Sequence, residues 1–252
     1  MTAMRPGGGG GASSVAAADI TDSTATGQAL MTAANAAAAR TAIGAAQDGA
    51  APSVASDAMS GSGWSALTTS GGASATWGSS KLACVCPLGS AASCGSYKTG
   101  YTSSGEWYDL AVRFQVLVGD GSTLTRAGFS IGGSANSNVS INFWNNGTVE
   151  CGHFGGSTFT SLTSTAGPDS GQRTGGDLWL RITRTPTSVA FSWGVGSGGA
   201  RPTSWTTVHV STNATVLLRG GGKRLELFAL TISSLAFSVD ALAVETAAPG
   251  GF

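Results

Sequence analysis

The strongest constraint on this chain is a period of two. In the stretch 107–118, WYDLAVRFQVLV, residues Leu110, Val112, Phe114, Val116 and Val118 fall on one side, and Arg113 and Gln115 on the other. Successive strand side chains point to opposite faces, so this pattern suits a half-buried β-strand. The same period recurs in LWLRITR, where Leu178, Leu180 and Ile182 oppose Trp179, Arg181 and Thr183, and in SVAFSW, which aligns Val189, Phe191 and Trp193. Strands with one apolar face each must bury those faces against one another, and two stacked sheets do so.

Turn chemistry separates the strands. Candidate strands lie at 73–77, 81–86, 107–118, 125–131, 139–144, 148–154, 178–185, 188–193, 205–210, 215–219, 224–230 and 235–244. Twelve strands are too many for one open twisted sheet, and no helix is expected after Gly44. Asn145-Asn146-Gly147 predicts a hairpin through a type I′ turn, whose positive φ values Asn and Gly tolerate. Thr185-Pro186-Thr187-Ser188 predicts a second hairpin, with the proline in the turn. The expected fold class is therefore mainly β: an N-terminal extended segment with short helices, then a two-sheet antiparallel jelly-roll sandwich over 63–247 and a tail at 248–252.

The region before the strands is different. Residues 1–19 form a Gly/Ala-rich arm, 20–46 carry a helical signal, and 47–62, QDGAAPSVASDAMSGS, read as a linker. In 20–46, Asp22 and Ser23 can cap a first short helix and Thr32 a second. The second runs through alanine-rich 33–43, with Arg40 in its last turn and Gly44 as a stop. Helices this short are marginal alone, and alanine offers little apolar area to bury. The segment is thus expected to order against a partner, with Leu30, Met31, Ala34, Ala37, Ala38 and Ile43 as attachment and oligomerisation residues.

The run DSTATGQALMTAANAAAARTAIGAA, residues 22–46, resembles a segment common near the N-termini of tailed-bacteriophage fibre and tail-associated proteins. It departs from that pattern at Gln28, usually arginine there, and at Asn35, often aspartate. The resemblance implies a virion structural protein, usually a homotrimer, assembled in the host cytoplasm and fastened through this segment to capsid, tail or baseplate proteins. A second resemblance covers about 64–246. GGDLWLRITRTPTSVAFSW, then a Gly-rich loop and SWTTVHV, and the closing LAFSVDALAVET are similar to the centre and last strand of concanavalin A-like jelly rolls, the lectin and glucanase sandwich. That fold carries binders and enzymes alike.

Composition excludes several classes. Charged residues make up 10% of the chain and sum to zero net charge, which argues against a nucleic-acid surface needing a basic patch. No continuous apolar h-region opens the chain, and no stretch approaches the ~18 apolar residues of a span, so neither a secretory signal nor membrane insertion is expected. Cys84, Cys86, Cys94 and Cys151 lack paired C-x2-C spacing, so no metal site is predicted and free packed thiols are favoured over a bridge from Cys84 or Cys86 to Cys94. Cys84-Val-Cys86 is read as one thiol inward and one outward.

Candidate chemistry is sparse. Glycan hydrolysis needs two carboxylates flanking the scissile bond, which the enzymes of the resembled fold carry as E-x-D-x-E or E-x-D-x-x-E. Here Glu106 and Asp109 have the wrong spacing and Glu150 stands alone. There is no nucleophile elbow around a serine, His153 and His209 have no triad pattern, and no phosphate loop or dinucleotide fingerprint occurs. No catalytic residue and no cofactor are predicted. Sugars are held by aromatic faces and convergent polar groups, and the candidates are Trp107, Tyr108, Trp144, Asn145, Asn146 and Trp205. Gly119-Asp120-Gly121 and Ala135-Asn136-Ser137-Asn138 offer only scattered oxygens for calcium. These readings point to a non-enzymatic virion fibre displaying a lectin-like domain for host-surface glycans, as a tail or baseplate receptor-binding protein. The alternatives are a capsid head fibre or decoration protein and, after that, a virion-borne polysaccharide depolymerase.

Overall fold

A computed structural model describes residues 54–89, 91–100, 108–118, 125–221, 224–232 and 236–247. The helices expected in 20–46, with Leu30, Met31, Ala34, Ala37, Ala38 and Ile43, lie outside the described residues, as do Glu106, Trp107 and Gly119-Asp120-Gly121.

The strands in chain order are β1 (Val54–Ser56), β2 (Ser65–Ala66), β3 (Ser74–Gly78), β4 (Lys81–Cys86), β5 (Ala92–Lys98), β6 (Tyr108–Val118), β7 (Thr125–Ser134), β8 (Ser137–Trp144), β9 (Thr148–Gly155) and β10 (Thr158–Ala166). A short helix α1 (Ser170–Thr174) precedes β11 (Leu178–Arg184), β12 (Val189–Val195) and β13 (Thr206–Ser211). Helix α2 (Ala214–Arg219) leads to β14 (Arg224–Thr231) and β15 (Phe237–Ala247). Among the described residues, one sheet runs β13-β12-β11-β6-β15-β4-β3, with β1 also pairing β15, and the other runs β10-β9-β8-β7-β14-β5-β2. Every pairing is antiparallel. The expected two-sheet antiparallel sandwich is the fold.

The period of two sets the interior. Leu110, Val112, Phe114 and Val116 of β6 and Leu178, Leu180 and Ile182 of β11 meet Phe129, Ile131, Val139, Ile141, Phe143, Leu225 and Leu227 from the other sheet, all buried. Phe114 and Phe143 touch edge to face across the layers, with centroids 5.7 Å apart. Each such side chain contributes about 1.5–3 kcal/mol through burial.

Several expectations need correction. Residues 215–219, read as a strand, form α2. Asn213 accepts a hydrogen bond from Thr215 N at 2.8 Å, so a local cap outweighs the β-branched side chains. Helix α1 is a second helix after Gly44; Asp169 and Gln172 close a reciprocal capping box at its start. Strands β5 (ASCGSYK) and β10 (TFTSLTSTA) were not anticipated, because their small and hydroxyl side chains carry little apolar alternation. β1 lies inside the stretch read as a linker and pairs with residues 245–247 of β15. Just after it, Asp57 accepts from Met59 N, Trp64 Nε1 and Lys98 Nζ, at 2.8, 3.3 and 2.7 Å.

The hairpin at 145–147 exists, but its turn is not type I′. Neither Asn145 nor Asn146 has a positive φ, whereas Gly147 sits at 91°. Gly147 N donates to Trp144 O at 3.0 Å, which is the three-residue loop with glycine in the left-handed position. The Thr185–Ser188 hairpin forms as expected, with Thr185 N donating to Ser188 O at 2.8 Å. All four cysteines are free and buried. Cys84 and Cys86 both face inward while Val85 between them is exposed, because residues i and i+2 of a strand share a face.

Candidate functional site

The outer face of the seven-stranded sheet carries the chemistry. Residues of β7, β8, β9 and β14 that point away from the core lie in rows across the strands. Phe228, Gly128, Asn142 and Glu150 make one row, Glu226, Ser130, Ser140 and Gly152 the next, and Arg224, Gly132, Asn138 and Phe154 a third. Small residues on β7 leave a trough here. A Cβ on Gly128 would come within 2.7 Å of Asn142 Cβ, so this position accepts only glycine. Gly152 makes room in the same way for Phe159, whose ring would lie 2.5 Å from an added Cβ.

Over this trough lies a cavity of about 160 Å³. Its floor includes Ser130, Ser140, Asn142 and Glu226; Phe154 and Phe159 wall one side, Leu67 and Thr68 another, and Arg126 and Ala135 also line it. The two phenylalanine rings pack together with centroids 5.1 Å apart. Asn142 is 1% exposed, and its Oδ1 has no hydrogen-bond partner in the protein. Arg126 Nε is likewise buried without a partner. Both residues line the cavity, but these two atoms are covered by surrounding protein, so a hydroxyl-bearing ligand pairs with them only when the side chains turn toward it.

The charges around the cavity are neutralised. Arg126 Nη1 donates to Glu150 Oε2 at 3.3 Å, and Trp144 Nε1 donates to the same oxygen at 3.1 Å. The Arg126 guanidinium lies 4.8 Å from the Trp144 ring centroid and 5.4 Å from that of Phe159. Burial lowers the Arg126 pKa, and the charge and hydrogen bond of Glu150 oppose that shift. Glu226 accepts from Arg224 Nε at 2.6 Å and from Ser130 Oγ at 3.4 Å. Glu226 on β14 and Glu150 on β9 stand three strand spacings apart, about 14 Å between backbones. Among the described residues, no group of three or more His, Cys, Asp or Glu is placed to hold a metal ion. Asn138 Nδ2 donates to the turn carbonyls of Ser134 and Ala135 at 3.2 and 2.9 Å.

The structure disperses the glycan-contact residues expected from sequence. Trp144 stands beside the cavity, engaged by Arg126 and Glu150. Asn145 is buried in the hairpin, with its backbone N donating to Thr125 O at 2.9 Å, and Asn146 Oδ1 accepts from Thr148 N at 3.0 Å. Tyr108 is not a platform but a core residue, fully buried, its hydroxyl donating to Gly220 O at 3.0 Å. Burial pushes its pKa up, against the charge of Arg184. Trp205 lies in the loop just before β13, beside the other sheet, where the guanidiniums of Arg181 and Arg201 lie 4.9 and 5.5 Å from its ring. Both arginines pair with Asp109, Arg181 through two hydrogen bonds at 2.8 and 2.7 Å and Arg201 through one at 2.5 Å. Asn142, Phe154, Phe159, Arg126 and Glu226 were not anticipated. A signal for them exists in RAGFSIGG, whose outward positions are Arg126, Gly128, Ser130 and Gly132. Choosing glycine on the solvent side of a strand marks a close approach.

No protein-family model matches the sequence, and a search of curated proteins gave no significant match. Solved structures do match. The chain is similar to the exoplasmic/lumenal domain of VIP36 in its Ca2+/Man3GlcNAc-bound form, with a TM-score of 0.53 and 11% identity over 74% of this chain and 83% of that one. The Ca2+/Man2-bound form of the same domain gives 0.51 and 12% over 73% and 80%. A protein of unknown function from Shewanella oneidensis MR-1 gives 0.50 and 14% over 81% and 89%. At these identities the likeness concerns the fold alone, and the described domain has the fold of a concanavalin A-like β-sandwich.

Proposed function

We propose that the chain is a non-enzymatic glycan-binding protein of a bacteriophage virion, which holds saccharide in the cavity on its seven-stranded sheet. The observation that carries the binding reading is the cavity itself, walled by Phe154 and Phe159 over a floor of Ser130, Ser140, Asn142 and Glu226. The rings cover sugar C–H surface, and a turn of the Asn142 side chain toward the cavity lets a ligand hydroxyl pair with its unpartnered Oδ1. The Man3GlcNAc-bound neighbour makes saccharides the first ligand class to test. Glu150 and Glu226 are each engaged by an arginine of the protein, which favours binding over hydrolysis.

The virion part of the proposal rests on the fibre-like segment 22–46. It implies a homotrimer fastened by that segment to tail or baseplate proteins and displaying the sandwich to the host surface. A capsid fibre or decoration protein is the alternative within the same class. Titration calorimetry of the full chain against a panel of saccharides tests the binding reading. At least one saccharide binds, and Phe159→Ala weakens it about tenfold, the effect of losing roughly 1.4 kcal/mol of ring contact; a panel with no binder refutes it. Light scattering on the full chain gives a trimer mass, and a monomer at working concentration removes the fibre reading. Images of particles labelled on the sandwich distinguish tail from capsid.

A further inference from the structure

The cavity also constrains what kind of saccharide it takes, on the premise that saccharide is its ligand. We infer that it holds one terminal pyranose ring of an uncharged glycan and discriminates against acidic and amino sugars.

Size and closure point to a single ring. An apolar cavity of roughly 150 Å³ is known to admit a six-membered ring, and this one measures about 160 Å³. Its lining residues surround the floor. Leu67 lies beyond β5, its N bonded to Gly95 O at 3.0 Å, and Phe154 and Phe159 lie on the far strands β9 and β10. Arg126 lies near the start of β7 and Ala135 just past its end. A chain passing through would need two open ends along one direction, whereas both directions are bounded.

Neutrality follows from the ion pairs. The two charged residues that line the cavity each have a counter-ion from the protein. Arg126 has Glu150 at 3.3 Å and Glu226 has Arg224 at 2.6 Å. An incoming carboxylate would have to displace Glu150 from Arg126, whose side chain is only 17% exposed, and an ammonium would have to compete with Arg224 for Glu226. Either displacement leaves a protein charge buried and unpaired, which is costly. The groups left over are one neutral acceptor, Asn142 Oδ1, and one donor, Arg126 Nε. A hydroxyl both donates and accepts, so an uncharged ligand pairs with polar groups of the floor without disturbing either ion pair.

The test uses the full chain and three matched sets of glycosides: neutral, with the C6 position oxidised to the uronic acid, and with a hydroxyl replaced by an amine. Neutral glycosides bind at least tenfold tighter than their acidic and amino counterparts. Asn142→Ala loses at least tenfold in affinity for the neutral ligand, with its unfolding midpoint reported alongside. Glu150→Gln releases Arg126 from its counter-ion and narrows the gap between acidic and neutral ligands. Equal or tighter binding of acidic or amino sugars by the unaltered protein overturns the inference while leaving the glycan-binding reading intact. Tighter binding of an internal oligosaccharide unit than of a terminal one does the same. No binding by any member of the three sets overturns both.

Discussion

On the outer face of the eight-stranded sheet, Asp109, Arg181, Arg201 and Trp205 form one ion-paired and stacked cluster. On the outer face of the seven-stranded sheet, Glu150, Arg126 and Trp144 form another. The residue types are nearly the same, but their surroundings are opposite. Over the first sheet the Gly-rich loop after β12 folds back. Gly199 N donates to Asp177 Oδ1 at 3.0 Å, Gly196 lies against Trp179, and Trp179 is fully buried although it points away from the core. Over the second sheet the trough of Gly128, Ser130 and Gly152 is left with a cavity. An arginine, a carboxylate and a tryptophan therefore do not by themselves mark a binding face; what lies over them decides.

The largest expected effect tests whether the first face is closed. Trp179→Ala removes a fully buried indole beneath the loop and lowers stability by about 3–5 kcal/mol, read from denaturant unfolding, without changing saccharide affinity. A loss below about 1 kcal/mol breaks the comparison, since it means the loop is not a cover. A smaller effect is expected at Gly199, where φ is +83° and a Cβ would come within 2.0 Å of Arg113 Nη1. Gly199→Ala costs about 1–3 kcal/mol through backbone strain, and faster amide exchange in 194–204 shows that the loop has lifted.

The smallest effects are in pH dependence, and the two sheets differ in sign. On the seven-stranded sheet, His153 Nδ1 contacts Arg219 Nη1 of α2, and burial together with that charge lowers the His153 pKa from 6.5. The unfolded chain thus binds the proton first, so stability contributed by neutral His153 is present above about 6.5 and is lost as pH falls through that value toward the folded pKa. On the eight-stranded sheet, burial raises the Glu245 pKa from 4.5 against the charges of Arg201 and Arg113. There the folded chain binds the proton first, so falling pH relieves the cost of its charge, fully below about 4.5. His153→Asn flattens the decline in thermal midpoint below pH 6.5, and an unchanged profile removes that role.

Much of the sandwich was legible because one physical rule, alternation, repeats along β6, β11 and β12. Where the rule had little apolar contrast to act on, it failed. In β5 and β10 serine, threonine and glycine stand on both faces, and only hydrogen bonds from β14 and β9 identify them as strands. The candidate site was less legible, because aromatics beside asparagines mark exposed platforms only when the fold leaves them exposed. Tyr108 continues the inward face of β6, with Leu110 and Val112, so the alternation already argued against it as a platform. Phe154 and Phe159 became a wall through the β9–β10 register, which pairs them directly.

By itself the sequence determined the fold class, most strand positions and the absence of a paired-carboxylate motif, since each depends on neighbours along the chain. Segment 22–46 contributes a resemblance only, and the virion proposal depends on it. Tertiary structure decided which face is closed and which is open. Asn142, Arg126 and Glu226 come from three strands and meet only through cross-strand register, and a loop ten residues long reaches Trp179 or leaves it bare according to how the chain folds back. Burial of a polar atom without a partner is a property of that assembly, and Asn142 acquires it only when β7, β8 and β14 pair.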